Sequence, residues 1–372
     1  MKRKTLVYGF FLAVLIFSPL LGGCGRTLQE SEPTAIPTQV PEPTATPTQE
    51  PEPTAVPTQE LGQWTPVTPL PEELGSGVIR CNESPDSFYI AGGVVGEVET
   101  SNRTYRYDIK TATWHRLANM PTPLRFSGIT CYEGKIYMAG GWDMDIMDVF
   151  LIYDLQTDQW SRGSPIPGPV WGAAMGAWEG KLYLVGGNRG ENNLVSENKV
   201  DVYDIATQTW TAGGGADMPT ASGFYAHVQS GPYLYVAGGF SGDFNKNINL
   251  TQRYDMSTNT WELGPTFTSA RAYGQLVATS SHLYSAGGDL NGGEIADMTN
   301  IMEVLDLSTW PEGKWTILGR TLPDKTLNFA STCTDILTNG EIWMVGGTNT
   351  GETWHLYKEV YYLPINDTCA DK

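Results

Sequence analysis

Residues 181–210 read K-L-Y-L-V-G-G-N-R-G-E-N-N-L-V-S-E-N-K-V-D-V-Y-D-I-A-T-Q-T-W, and the reading of this stretch decides the fold. It opens with a short, nearly continuous apolar run, Leu182 to Val185, stopped by Gly186-Gly187. A run of that length bounded by glycines reads as a strand buried on both faces. Paired glycines admit φ > 0 and the close approach of a neighbouring chain. A second strand, Asp201 to Tyr203, ends at Asp204, whose short side chain closes an Asx-type turn. Trp210 then opens a third strand with a large apolar plate. Such a meander cannot bury both faces alone. It needs copies of itself.

The copies are present. Glycine doublets recur at Gly92-Gly93, Gly140-Gly141, Gly186-Gly187, Gly238-Gly239, Gly287-Gly288 and Gly346-Gly347, each after an apolar strand that carries an aromatic. Downstream, Tyr-Asp-x-x-Thr-x-x-Trp spans Tyr107–Trp114, Tyr153–Trp160, Tyr203–Trp210 and Tyr254–Trp261. A fifth copy is degenerate, with Leu305-Asp306 and Trp315 after an inserted Pro311-Glu312-Gly313. The sixth keeps Tyr361-Tyr362 and has no tryptophan after it. The doublets stand close to the period of about 50 residues typical of kelch arrays. On these residues, from about Gln63 to Pro364, the chain resembles the kelch-repeat family. The resemblance implies an all-β fold: a six-bladed kelch-type β-propeller over residues 62–372, its four-stranded blades set around a central channel.

Ahead of the repeats, Lys2, Arg3 and Lys4 precede an apolar run from Leu6 to Leu21, followed by Gly22-Gly23-Cys24. A basic start, an apolar core and small residues make residues 1–23 a secretory signal. The Leu-Gly-Gly-Cys ending resembles a bacterial lipobox, which implies cleavage before Cys24 and lipidation there; a plain signal peptide or a membrane anchor are the alternatives. Several acyl chains, at about 0.8 kcal/mol per buried CH₂, hold a protein to a membrane far more firmly than one. Residues 24–61 then read as a tether. E-P-T-A-x-P-T-Q occurs from Glu32, Glu42 and Glu52, and proline at this density favours extended polyproline II over helix or sheet. The expected location is therefore outside the cytoplasm, on a cell membrane or surface.

A formal net charge of -18 disfavours phosphate backbones, so nucleic acid is not expected as a partner. With Cys24 consumed by lipid, Cys81, Cys131, Cys333 and Cys369 remain, an even set that allows two disulfides in three connectivities. Cys81 and Cys131 fall near the ends of the first strands of successive blades, and Cys333 and Cys369 both belong to the last, which suggests those pairings. None lies in a C-x-x-C pair, so zinc and redox readings lack support.

Neither a cofactor nor a metal is expected. Copper-radical oxidases share kelch repeats, but of His115, His227, His282 and His355 only His227 falls near the axis, and the ligand pattern of that family cannot be carried over. Asp143, Asp145 and Asp148 supply hard oxygens without the spacing of a calcium loop. Gly-x-Ser-x-Gly, Walker and His-Glu-x-x-His motifs are all absent. The expected function is accordingly a tethered binding module for a carbohydrate or protein ligand. An extracytoplasmic carbohydrate-active enzyme, similar to the sialic acid mutarotases or epimerases, is the alternative. Fold alone does not choose between them.

Two positional expectations follow from the repeat. Gln63-Trp64-Thr65-Pro66-Val67 resembles the outer strand that blade six lacks, so it should pair with Lys358–Pro364 and close the ring. The segments leading into the inner strands should line one mouth of the channel. Aligned on the doublets these are Leu74-Gly75-Ser76, Arg125-Phe126-Ser127, Val170-Trp171-Gly172, Gly223-Phe224-Tyr225, Arg271-Ala272-Tyr273 and Asn328-Phe329-Ala330. Their aromatics, with Arg125, Arg271 and Asn328, make the candidate ligand site, since rings pack on sugars or side chains and arginine grips carboxylates.

Overall fold

The computed structural model describes residues 62–96, 99–189, 195–242, 246–291, 298–323, 336–338, 340–350 and 354–365. Residues 1–61, which hold the expected signal, tether and Cys24, and Asn328, Phe329, Cys333 and Cys369 lie outside the described residues. Within them the chain is a six-bladed β-propeller, and the sole helical element is a single 3-10 turn, Leu307–Thr309. Blade three shows the plan: Ala174–Trp178, Lys181–Val185, Val200–Asp204 and Thr209–Thr211 pair antiparallel in chain order, from the axis outward. The inner strands of the other blades are Leu74–Arg80, Gly128–Tyr132, Ala226–Ser230, Gln275–Ala278 and Ile336–Thr338.

Each part of the repeated motif has a structural task. The aspartate closes the turn between third and fourth strands: Asp108, Asp154 and Asp204 accept from the backbone N–H of Thr111, Thr157 and Thr207 at 2.9, 3.0 and 2.8 Å. The tyrosine and tryptophan then stand directly opposite across that turn, with ring centroids 4.8 Å apart for Tyr107–Trp114 and 5.1 Å for Tyr203–Trp210. The indole N–H reaches the preceding blade. Trp114, Trp210 and Trp261 donate to the carbonyls of Thr68, Ser164 and Ala216 at 3.2, 3.1 and 2.8 Å. One residue thus fills the gap between two sheets and bonds across it.

The doublets make the same connection near the axis. Gly93, Gly141, Gly187 and Gly239 donate their backbone N–H to the carbonyls of Leu124, Val170, Ser222 and Arg271, each in the next blade, at 2.7–3.0 Å. At Gly140 the requirement for glycine is steric as well as conformational. Its φ is +65°, and a Cβ there would stand 2.2 Å from the carbonyl oxygen of Val170.

The ring closes as the sequence leads one to expect. Thr65–Pro66 pairs antiparallel with Trp354–Pro364, in register Thr65 to Tyr362 and Pro66 to Tyr361. Backbone bonds from Gly62 to Pro364, Val67 to Val360 and Leu70 to Lys358 extend the contact. The outer strand of blade six is therefore the first strand of the domain, and no blade edge is left open there. At the next seams, Cys81 and Cys131 form a disulfide between blades one and two.

Candidate functional site

At the mouth next to the doublets, equivalent residues of four blades converge. Phe126, Gly172, Phe224 and Tyr273 all take left-handed φ, at 58°, 64°, 55° and 56°. Their backbones form a belt from blade to blade: Gly172 donates to Phe126, Phe224 to Gly172 and Tyr273 to Phe224, each at 2.8 Å. Left-handed φ is strained for a bulky aromatic, and glycine, as in blade three, satisfies the same belt. Three blades nevertheless carry a ring there. In blade three the ring comes from Trp171, one residue earlier, because a Cβ on Gly172 would lie 2.6 Å from the Phe224 ring.

Those rings form one floor. Phe224 is its centre, with centroids 4.9 Å from Trp171, 5.1 Å from Tyr273, 5.4 Å from Phe126 and 6.2 Å from Phe240, most of the contacts edge-to-face. Phe126, Phe224 and Phe240 are buried, while Trp171, Tyr273, Trp142 and Met298 are partly exposed around them. The buried rings thus form an apolar layer beneath the mouth, and the partly exposed ones stand around it.

Arg125 stands at that rim. Its guanidinium lies over Trp142, 4.1 Å from the ring centroid, and 5.6 Å from that of Phe126. An isolated backbone bridge to Trp142 fixes its place. Its Nε is buried, with no hydrogen-bond partner among the described residues. Desolvation holds its pKa below the usual arginine range, opposed by the nearby Asp143 carboxylate. A stacked guanidinium keeps its N–H edge free for an anion.

Of the expected site residues, then, Arg125, Phe126, Trp171, Phe224 and Tyr273 come together. Tyr225 and Arg271 stand apart. Tyr225 lies between blades three and four, where its hydroxyl donates to the Val185 carbonyl at 2.5 Å and accepts from the Ala174 N–H at 3.1 Å. Arg271 is 1% exposed and ion-pairs with Glu303, which is fully buried. It also donates to Ser285 Oγ at 3.1 Å and covers the Phe267 ring at 4.1 Å. The physical reason is register. Arg271 occupies the position of Leu124, Val170 and Ser222, whose side chains are buried between blades, whereas Arg125 occupies that of Trp171, Gly223 and Ala272. Alignment on the doublets alone left blades two and four one residue out of step with three and five.

Sequence reasoning missed Trp142 and Phe240. Each directly follows a glycine doublet, and each bridges to the segment leading into its own inner strand, at Arg125 and Gly223. Position after the doublet was the available signal. Of the acidic trio, Asp143 and Asp145 face each other across a two-residue-strand hairpin beside Arg125. Among the described residues no three His, Cys, Asp or Glu side chains gather as metal ligands.

A ring of sheets with an aromatic floor and one stacked cation at its mouth defines a β-propeller binding module. The KLHDC2/KLHL20/DRC7 Kelch-repeats domain model matches residues 62–212, and the Kelch motif model matches residues 222–268. The chain belongs to the kelch-repeat family. It is similar to alpha-scruin of Limulus polyphemus, 24% identical over 73% of this chain and 24% of that protein. It is also similar to the Kelch-like protein terF of Aspergillus terreus, 28% identical over 54% of this chain and 35% of the relative. Kelch-like protein 36 of Rattus norvegicus is 26% identical over 55% and 34%. The chain thus spans a quarter to about a third of the length of these relatives.

Proposed function

We propose that this protein is an extracytoplasmic binding module, held to a membrane by lipid on Cys24 and lifted from it by the proline-rich residues 24–61, that takes a carbohydrate or protein ligand on the aromatic floor. The observation that carries the reading is the convergence of Phe126, Trp171, Phe224 and Tyr273 from successive blades on one mouth. Three of the four rings sit on a backbone conformation that costs of order 1 kcal/mol or more each. Packing between blades does not call for that cost, since glycine serves in blade three. The Cys81–Cys131 disulfide supports an oxidising compartment.

The test is a glycan array and a surface-protein pull-down with the full chain and its Trp171→Ala variant. Binding that falls at least tenfold in the variant, with the circular dichroism spectrum unchanged, supports the floor as the site. Equal binding by both proteins places the ligand elsewhere and overturns the reading. A globomycin-sensitive shift in membrane association, lost in Cys24→Ser, tests the anchor separately.

A further inference from the structure

We propose that the ligand on this floor is a carboxylated pyranose, a uronic acid unit, whose carboxylate is held by Arg125. This rests on the floor being the binding site. Four arginines of the described domain are engaged by acidic groups, Arg103 with Glu72, Arg189 with Asp201, Arg253 with Glu262 and Arg271 with Glu303, and Arg116 and Arg162 bond to Tyr105 and Thr122. Among the described residues Arg125 makes no such pair, and its Nε is buried with no hydrogen-bond partner there. Its flat face is taken by Trp142, so what it offers is the edge that binds a carboxylate through two parallel hydrogen bonds. A partly buried guanidinium at a mouth, with its Nε out of water, gains from a carboxylate that arrives to pair with it.

The surroundings narrow the class. Trp142, under the guanidinium, and Trp171, at the same mouth, are partly exposed rings, and an aromatic face suits the C–H face of a pyranose. Asp143 and Asp145 on the adjoining hairpin are hydroxyl-bond acceptors. The same carboxylates, on a chain of formal charge -18, repel a ligand with several negative charges and tolerate one with a single charge. An acidic peptide brings several. A sugar with one carboxylate per ring, ringed by hydroxyls, offers a partner to Arg125, to the two tryptophans and to the hairpin carboxylates.

The experiment uses the full-length protein in detergent micelles. Tryptophan fluorescence and saturation-transfer NMR are read with four probes: glucuronate, galacturonate, and their neutral parents glucose and galactose. A glutamate-terminated hexapeptide is the control. We expect at least one uronate to bind tenfold or more tighter than its neutral parent. Arg125→Gln should abolish that preference while leaving the weak neutral-sugar signal, and Arg125→Lys, which keeps the charge and loses the fork, should recover only part of it. Uronate and parent bound equally by the wild type, or a preference that survives Arg125→Gln, overturns the proposal and leaves the floor reading intact. Preference for the peptide over both uronates overturns the sugar class. Sugar signals that persist unchanged in Trp171→Ala overturn the floor reading itself.

Discussion

Trp64 donates its indole N–H to the carbonyl oxygen of Thr321, 3.0 Å away across the seam between blades five and six and 257 positions along the chain. The bond repeats what Trp114, Trp210 and Trp261 do within the array, donating to the blade before their own. Blade six, which has no tryptophan of its own after Tyr361-Tyr362, borrows one from the start of the domain. Trp64→Phe keeps the apolar plate and removes the donor, so it should cost about 1 kcal/mol. Deleting Gln63–Val67 removes the strand, its ladder bonds and the plate together, and opens the edge of Trp354–Pro364. That variant should melt far below the wild type by calorimetry and aggregate on heating. Unchanged melting would show that the ring does not depend on this closure.

The fold was legible because each element of the repeat has one physical task, performed alike in blades one to four. The doublet admits a neighbouring carbonyl, the aspartate closes a turn, and the Tyr-Trp pair fills and bonds an interblade gap. Closure was legible for the same reason, since Trp64 carries the outer-strand signature out of place. The site was legible only in part. Phe126, Trp171, Phe224 and Tyr273 lie where the alignment put them, but distinguishing a mouth residue from an interblade residue takes single-residue register. A glycine doublet whose loops differ in length does not supply that. The missed contributors, Trp142 and Phe240, carry the local mark of directly following a doublet, but that mark does not show which rings pack into the floor.

The Arg271–Glu303 pair shows the consequence of that register. Both groups are buried, and Glu303 also accepts from the backbone N–H of Thr268 at 3.0 Å. Desolvation lowers the Arg271 pKa, opposed by the Glu303 charge. Removing one partner strands the other charge, so Glu303→Ala should destabilise the protein by about 3–5 kcal/mol in denaturant unfolding. The double change Arg271→Met with Glu303→Leu should recover much of that loss, because it leaves no unpaired charge in the core. If Glu303→Ala unfolds like the wild type, the pair is not the structural element inferred here. If the double variant is as unstable as the single one, shape rather than charge governs the seam.

His227 provides the pH dependence. Its register, opposite Val236, is that of Met175 opposite Leu184 and Ile129 opposite Met138, so it holds a core position between blades. It is fully buried, and burial pushes its pKa down to about 4, opposed only in part by the Tyr225 backbone. The folded-state value lies below the unfolded one, near 6.5, so as pH falls the unfolded chain binds the proton first. Stability from this residue is therefore complete above about pH 6.5, declines through the window down to about pH 4, and is lost below it. The decline amounts to roughly 3 kcal/mol across the window. Aspartates that close the blade turns add to acid sensitivity only lower down: a backbone hydrogen bond from Thr157 holds the Asp154 carboxyl below its ordinary range, and one from Thr207 does the same for Asp204. His227→Met, which copies blade three, separates the two effects. Urea titrations at pH 7.5, 5.5 and 4.5 should show the wild type losing stability over that span and the variant losing much less. Parallel pH profiles for the two proteins would mean that His227 finds a way to carry its proton in the folded ring.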